Sequence, residues 1–306
     1  MSDDFRRAMH EALASTPKSI SPKWLYDAAG SDLFEQITRL EEYYPTRQEA
    51  ALLHTVIPQW RDLLGNDLAL VELGSGGSEK TRIVLDELSE IKTYVPIDIS
   101  PSALDAAAEM LAHDYPKLMI APVLGDFENL PQLPYPAHSH PIGFFPGSTI
   151  GNLDGHAAEK LLRDMRGRLG EGSWFILGAD LIKDAKALEA AYDDREGVTA
   201  AFNLNLLRRA ESELGAVLNI DDFQHRAIWN ASERQVEMHL QALRDTAITI
   251  DGTRYPFKAG ETLHTESSRK YDEQALRRLA DASGWTVERF ETSPVPSVSL
   301  SLWRAA

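Results

Sequence analysis

The chain has 306 residues and no cysteine. That excludes disulfides, thiolate metal sites and a cysteine nucleophile. Long apolar runs are missing too: nothing approaches the ~18 residues a membrane-crossing helix needs. The opening residues MSDDFRRAMHEAL carry no apolar core of signal-peptide length. A soluble, cytoplasmic protein with no membrane contact is therefore expected. Positive charge is scarce, with 31 Lys and Arg against 47 Asp and Glu for a net −16. Such a surface repels phosphate backbones, and the basic pairs Arg208-Arg209 and Arg277-Arg278 make no patch, so nucleic acid is not an expected partner. His138 and His140 have HxH spacing but no carboxylate to complete a set of ligands, so no metal is expected. Nothing in the sequence points to an obligate protein partner. What is present is ordinary for a chain with a sizeable core: 43% hydrophobic residues and a mean hydropathy of −0.30, suiting one large domain or two.

The stretch LALVELGSGGS, from Leu68 to Ser78, organises the rest. Leu68, Leu70, Val71 and Leu73 suit a strand buried on both faces of a parallel sheet. Gly74 and Gly76 permit a tight turn and close approach of backbone N–H groups to a ligand. The helical segment from Glu79 completes the opening of a nucleotide-binding α/β unit. The dinucleotide fingerprint is incomplete, because Glu79 stands where its third glycine would fall. With acidic Glu72 near the strand end, the turn looks more like the first motif of S-adenosylmethionine-dependent methyltransferases.

Upstream, helical spacing covers residues 4–15, and a second helix is expected from Ser31 or Asp32. A third is expected from Thr46, with Glu49 closing a capping box. Tyr26 and Tyr43 read either as part of a helical layer over a sheet or as phenols facing a ligand. Downstream, KTYVPIDI is a second strand ending in Asp98, 24 positions beyond Gly74. An acid there holds ribose hydroxyls in such folds, or caps the helix that follows. Residues 118–124 form a third strand closed by Gly125-Asp126-Phe127, a turn suited to an adenine ring. Residues 142–145 and 173–180 are strands four and five, separated by a polar turn with Gly147 and Asn152 and by a helix capped by Asp154.

The pattern then changes. Two helical stretches fill residues 184–214, separated near Glu196-Gly197. Alternation follows, with Val236, Met238 and Leu240 on one strand face, then a hairpin across Asp251-Gly252. A helix from Asp272 to Ser283 and two final strands return the chain to the sheet. The reading is α/β: a Rossmann-like, class I methyltransferase-like sheet of seven strands with an inserted α+β domain. Residues 1–180 and 271–306 form the core with an N-terminal helical layer, and residues 181–270 the inserted substrate-binding domain.

The blocks KWLYDAAGSDLFEQITRLEEYYPTR, VELGSGGSEKT, GDFENL, FFPGSTIGNL and AYDDREGVTAAFN, with the segments around EMHL and TESS, resemble the histidine Nα-methyltransferases of ergothioneine biosynthesis over nearly the whole chain. The resemblance implies S-adenosylmethionine as methyl donor and L-histidine as the small-molecule substrate, trimethylated on its α-nitrogen to hercynine. It implies cofactor binding by Tyr26, Gly74, Lys80, Asp98, Asp126 and Phe127. Gly147 and Thr199 match positions near the substrate amine, and Asn152 and Tyr192 positions that hold its amino and carboxylate end. Tyr43, Glu266 and Ser268 match residues that grip the imidazole, and Met238 lines that pocket. Of these, Tyr43, Asn152 and Tyr192 are the expected catalytic residues. Gly77 departs from a threonine frequent in the family. In an extended segment Glu266 and Ser268 project to one face. Rival readings are a same-fold methyltransferase acting on tryptophan or another aromatic amino acid, a non-catalytic binding protein and a nicotinamide dehydrogenase.

Overall fold

Continuous burial of Leu68–Leu73 along the whole strand sets the architecture, because a strand buried at every position is covered on both faces. The computed structural model describes residues 2–76, 79–126, 130 and 132–306. The chain divides into two compact units, Met1–Tyr44 with Lys183–Arg269, and Pro45–Ile182 with Lys270–Ala306.

In the second unit, Leu68–Leu73 pairs in parallel with Ile91–Asp98 on one side and His140–Phe145 on the other. Trp174–Asp180 continues the parallel set, and Val298–Ala305 then Trp285–Thr292 close it antiparallel. The far edge is Met119–Ile120 and Val123–Leu124, both on Ile91–Asp98. The expected single third strand is thus two short pieces. The helices Gly155–Leu169 and Glu273–Ser283 bury Leu161, Leu162, Met165 and Leu276 against Val71, Val95, Phe175 and Trp303. Their starts follow the sequence: Asp154 accepts from Ala157 N, and Asp272 from Ala275 N. Such caps are each worth ~1 kcal/mol.

In the first unit, Thr262–Arg269 lies between Lys18–Ser19, in parallel, and Gln235–Ala242, antiparallel, with Phe223–Asn230 beyond. The hairpin Thr246–Ile250 to Thr253–Phe257 turns on Asp251 (φ 50°) and Gly252 (φ 77°), the paired left-handed conformations a two-residue turn requires. Helices Ser2–Ala14, Ala28–Thr38, Ala185–Tyr192 and Val198–Leu214 complete it.

Three expectations are corrected. Residues 1–44 were placed with the core, yet they cluster with the insertion. Arg209 of Val198–Leu214 donates to Trp24 O at 2.8 Å and stacks 4.3 Å from the Phe5 ring. The second helix starts earlier, with Asp27 as its cap accepting from Gly30 N. The third helix spans Tyr44–Leu64, so neither Thr46 nor Glu49 sits in a capping box. Pro45, whose fixed φ suits a first turn, lies at its start.

Lys270 and Asp180 form a fully buried ion pair at 2.9 Å in the second unit. Removing one partner of such a pair strands the other charge. Lys270→Met is expected to lower unfolding free energy by about 3–5 kcal/mol, and Lys270→Met with Asp180→Leu by less than half of that. Urea unfolding followed by tryptophan fluorescence checks both; equal losses would show that the pairing is immaterial.

Candidate active site

The strand order of the second unit's sheet reverses between Leu68–Leu73 and His140–Phe145, and ligands of open α/β sheets bind at such a point beyond the strand ends. Gly74 (φ 69°) and Gly76 (φ 44°) turn the chain there. Gly74 N donates to Ile97 O at 2.8 Å. Asp98 takes Ser100 N at 3.0 Å on one oxygen and Gly76 N at 3.4 Å on the other, tying the second strand end to the glycine turn. Gly125 N donates to Asp98 O at 3.0 Å, so Asp126 follows directly beside that end. Gly74, Asp98 and Asp126 therefore stand on three neighbouring strand ends. Phe127 and Gly77 lie outside the described residues.

Across the switch point, Gly147 (φ 79°) donates its N–H to both Glu49 oxygens, at 3.0 and 2.8 Å. Lys80 pairs with the same carboxylate. Gly178 makes room for it: a Cβ there would lie 1.7 Å from Glu49 Oε1. Sequence reasoning missed Glu49, though the signal was available. It continues the helical stripe of Leu53, Val56, Ile57, Trp60 and Leu64, and an acid on an apolar stripe needs a buried partner. Asn152 ends the short 3-10 turn Thr149–Asn152 that follows Gly147.

Beneath the turn, Glu72 is 1% exposed and accepts from Thr81 Oγ1 at 2.6 Å and Tyr94 Oη at 2.5 Å. Burial pushes its carboxyl up to about 7, against the two hydroxyl donors and Lys80, which lower it. Burial and the adjacent Glu72 push the Tyr94 phenol above its ordinary value.

The first unit gathers the other candidates. Tyr43, Tyr192, Thr199, Met238, Glu266 and Ser268 are all buried. Tyr192 Oη donates to Ser268 Oγ at 2.7 Å, and the Tyr43 ring stands edge-on to Tyr192 at 6.2 Å. Phe34 and Phe202, neither foreseen as site residues, link Tyr43 to Tyr26: ring distances are 6.2 Å for Phe34–Tyr43, 5.5 Å for Tyr26–Phe34 and 5.3 Å for Tyr26–Phe202. The Glu42–Arg195 pair at 2.6 Å fastens the segment beside Tyr43 to the loop after Tyr192. Glu266 lies across from Met238 and Ser268 across from Val236. Register shifts between His264 and Glu266, and this bulge leaves both Thr265 and Glu266 buried. Thr199 N donates to Asp194 Oδ1 at 2.7 Å at the start of Val198–Leu214. The expected cofactor residues thus fall in the second unit except Tyr26, and the expected substrate residues in the first except Gly147 and Asn152.

The eight-stranded sheet, with the second strand from one edge antiparallel and a glycine turn tied to an acid on the next strand end, has the class I methyltransferase fold. A profile of the histidine-specific, S-adenosylmethionine-dependent methyltransferases matches residues 5–305, and the chain belongs to that family. It is 41% identical over 307 residues to the histidine N-alpha-methyltransferase of Mycolicibacterium smegmatis, covering 97% of this chain and 94% of that one. The protein of the same name from Mycobacterium tuberculosis is 41% identical over 303 residues, with 97% and 94% covered. Ergothioneine biosynthesis protein 1 of Schizosaccharomyces pombe is 25% identical over 288 residues, covering 88% of this chain and 37% of that longer protein.

Glu72 keeps its proton up to about pH 7 in the folded protein but loses it near 4.5 when unfolded. Its contribution to stability is therefore present below pH 4.5 and is lost as pH rises through 7. Glu72→Gln retains an acceptor for both hydroxyls and removes the titration. Relative to the parent, its unfolding free energy should rise by roughly 2 kcal/mol between pH 5 and pH 8; parallel pH profiles in urea unfolding would exclude the buried titration.

Proposed function

We infer that the protein transfers methyl groups from S-adenosylmethionine to the α-nitrogen of L-histidine, three in succession, giving hercynine, the first step of ergothioneine biosynthesis. Family membership and the two mycobacterial relatives support the substrate, and the Schizosaccharomyces pombe relative supports the pathway. The observation that carries the reading is Glu266, 6% exposed on the same strand face as Ser268, whose hydroxyl meets that of Tyr192. A buried carboxylate facing an imidazole N–H forms a charge-assisted bond, and leaving it without that bond penalises any ring unable to donate.

S-adenosylmethionine supplies a methyl already activated on a sulfonium. The chain's residues then have to bind, align and exclude water, and alignment alone is worth several kcal/mol, up to roughly 7–11 in the best cases. Gly74, Asp98, Asp126, Lys80 and Tyr26 are assigned to the cofactor. The polar strand ends support this, since a glycine turn presents amides and an acid at the next strand end suits ribose hydroxyls. Gly147, Asn152, Tyr192 and Thr199 are assigned to the amino-acid backbone end, and Tyr43, Met238, Glu266 and Ser268 to the side chain. The amine attacks in its neutral form, which burial beside a cation favours. As methyls accumulate, the growing ammonium is suited to the aromatic faces of Tyr43 and Tyr192.

Radiolabelled S-adenosylmethionine with histidine should yield methylated product, and calorimetry in the presence of S-adenosylhomocysteine should show histidine binding more tightly than tryptophan. The reverse preference would replace the substrate. Glu266→Ala should raise the histidine KM at least ~10-fold, about 1.4 kcal/mol for a buried charged hydrogen bond. Unchanged steady-state kinetics would remove Glu266 from the site.

A further inference from the structure

We propose that Asn203 and His225 are positioning residues for Tyr192, locking its main chain through a histidine ring held as the Nε2–H tautomer. The proposal rests on the function inferred above only for its consequence for histidine binding; the tautomer follows from hydrogen bonding alone.

Asn203 is fully buried on the helix Val198–Leu214. Its Nδ2 lies 3.1 Å from His239 O and 2.9 Å from His225 Nδ1. A carbonyl oxygen only accepts, so the amide nitrogen must face His239 O. Turning the amide over would set Oδ1 against that carbonyl, two acceptors in contact. With its orientation fixed, Nδ2 donates its second hydrogen to His225 Nδ1, which must be the unprotonated ring nitrogen. The ring hydrogen then sits on Nε2, which lies 2.8 Å from Tyr192 O and donates to it. Burial keeps the ring neutral by lowering its pKa, as an accepting Nδ1 requires.

The consequence falls on the site. Tyr192 is the last residue of the helix Ala185–Tyr192, in the final turn whose carbonyls have no later intrahelical N–H to accept from. His225 donates to the Tyr192 carbonyl from the strand Phe223–Asn230, and the Tyr192 phenol donates to Ser268. A side chain with its main chain fastened on one side and its hydroxyl on the other has little freedom. Such preorganisation reduces the ordering cost of binding.

Two measurements test this. In the protein labelled with 15N-histidine, with the His225 signals assigned by their loss in His225→Gln, the long-range proton–nitrogen spectrum should show a neutral ring protonated at Nε2. A ring protonated at Nδ1, or charged at neutral pH, overturns the proposal. For binding, His225→Phe should weaken histidine affinity by about tenfold, the order of one buried hydrogen bond, while S-adenosylhomocysteine affinity stays within about twofold. His225→Gln, which keeps an amide donor, should recover most of the loss. Histidine affinity unchanged in both variants, or both ligands weakened equally, overturns it. If His225→Phe does not fold, His225→Gln and the spectrum decide. A parent that binds no histidine would sink the substrate reading while leaving the tautomer to the spectrum.

Discussion

A single extra residue in the strand Thr262–Arg269 decides what the first unit offers its interior. Side chains alternate across a strand, so Leu263 and Thr265 facing inward would send Glu266 and Ser268 outward with His264. The bulge between His264 and Glu266 resets the phase. Thr265 Oγ1 donates to Met238 O at 3.0 Å, fastening the irregularity to the neighbouring strand. Glu266 and Ser268 then share the buried face with Val236 and Met238. Burying a carboxylate costs several kcal/mol unless its surroundings compensate it, and the bulge is what brings Glu266 to this face.

The second unit handles buried acids in three ways, and each suits its place. Glu72 rests on two hydroxyls and holds a proton up to about pH 7. Glu49 is shared between the Lys80 ammonium and the Gly147 amide. Asp180 meets Lys270 directly. The first two stand on either side of the topological switch point, each already oriented by its partners. Preorganised donors and acceptors need not rearrange when a charged group arrives, which gives them more effect than solvent dipoles.

Much of this was legible in the sequence. Largely apolar runs marked the parallel strands, and Asp154, Asp272, Gly284 and Asp251-Gly252 marked element ends at the residues where they occur. The site candidates came from a resemblance covering nearly the whole chain rather than from any one motif. What stayed hidden depends on contacts distant in sequence. Nothing in residues 1–44 announces that Phe5 and Trp24 pack on Arg209. The bulge leaves no mark on composition, because Thr262–Arg269 reads as an ordinary polar strand. The His225 tautomer needs Asn203, 22 positions away, and a carbonyl on another strand. Glu49 is the exception, a signal present in the helical stripe but assigned to local capping.

The helix Val198–Leu214 ties the contacts hidden in the sequence to residues of the proposed site. Phe202, Asn205 and Arg209 follow one helical face. Phe202 meets the Tyr26 ring, Asn205 donates to Asp27 Oδ1 at 2.8 Å, and Arg209 holds Trp24 O. Asn203, about 100° around the same helix, reaches His225 and through it Tyr192. Tyr26, assigned to the cofactor, and Tyr192, assigned to the substrate, thus take their positions from one 17-residue element. A tyrosine on a free loop or helix end samples many orientations; one braced by side chains of a rigid helix does not. The burial of Asn203 and Arg209, polar groups that an apolar core would dispense with, is what that bracing requires.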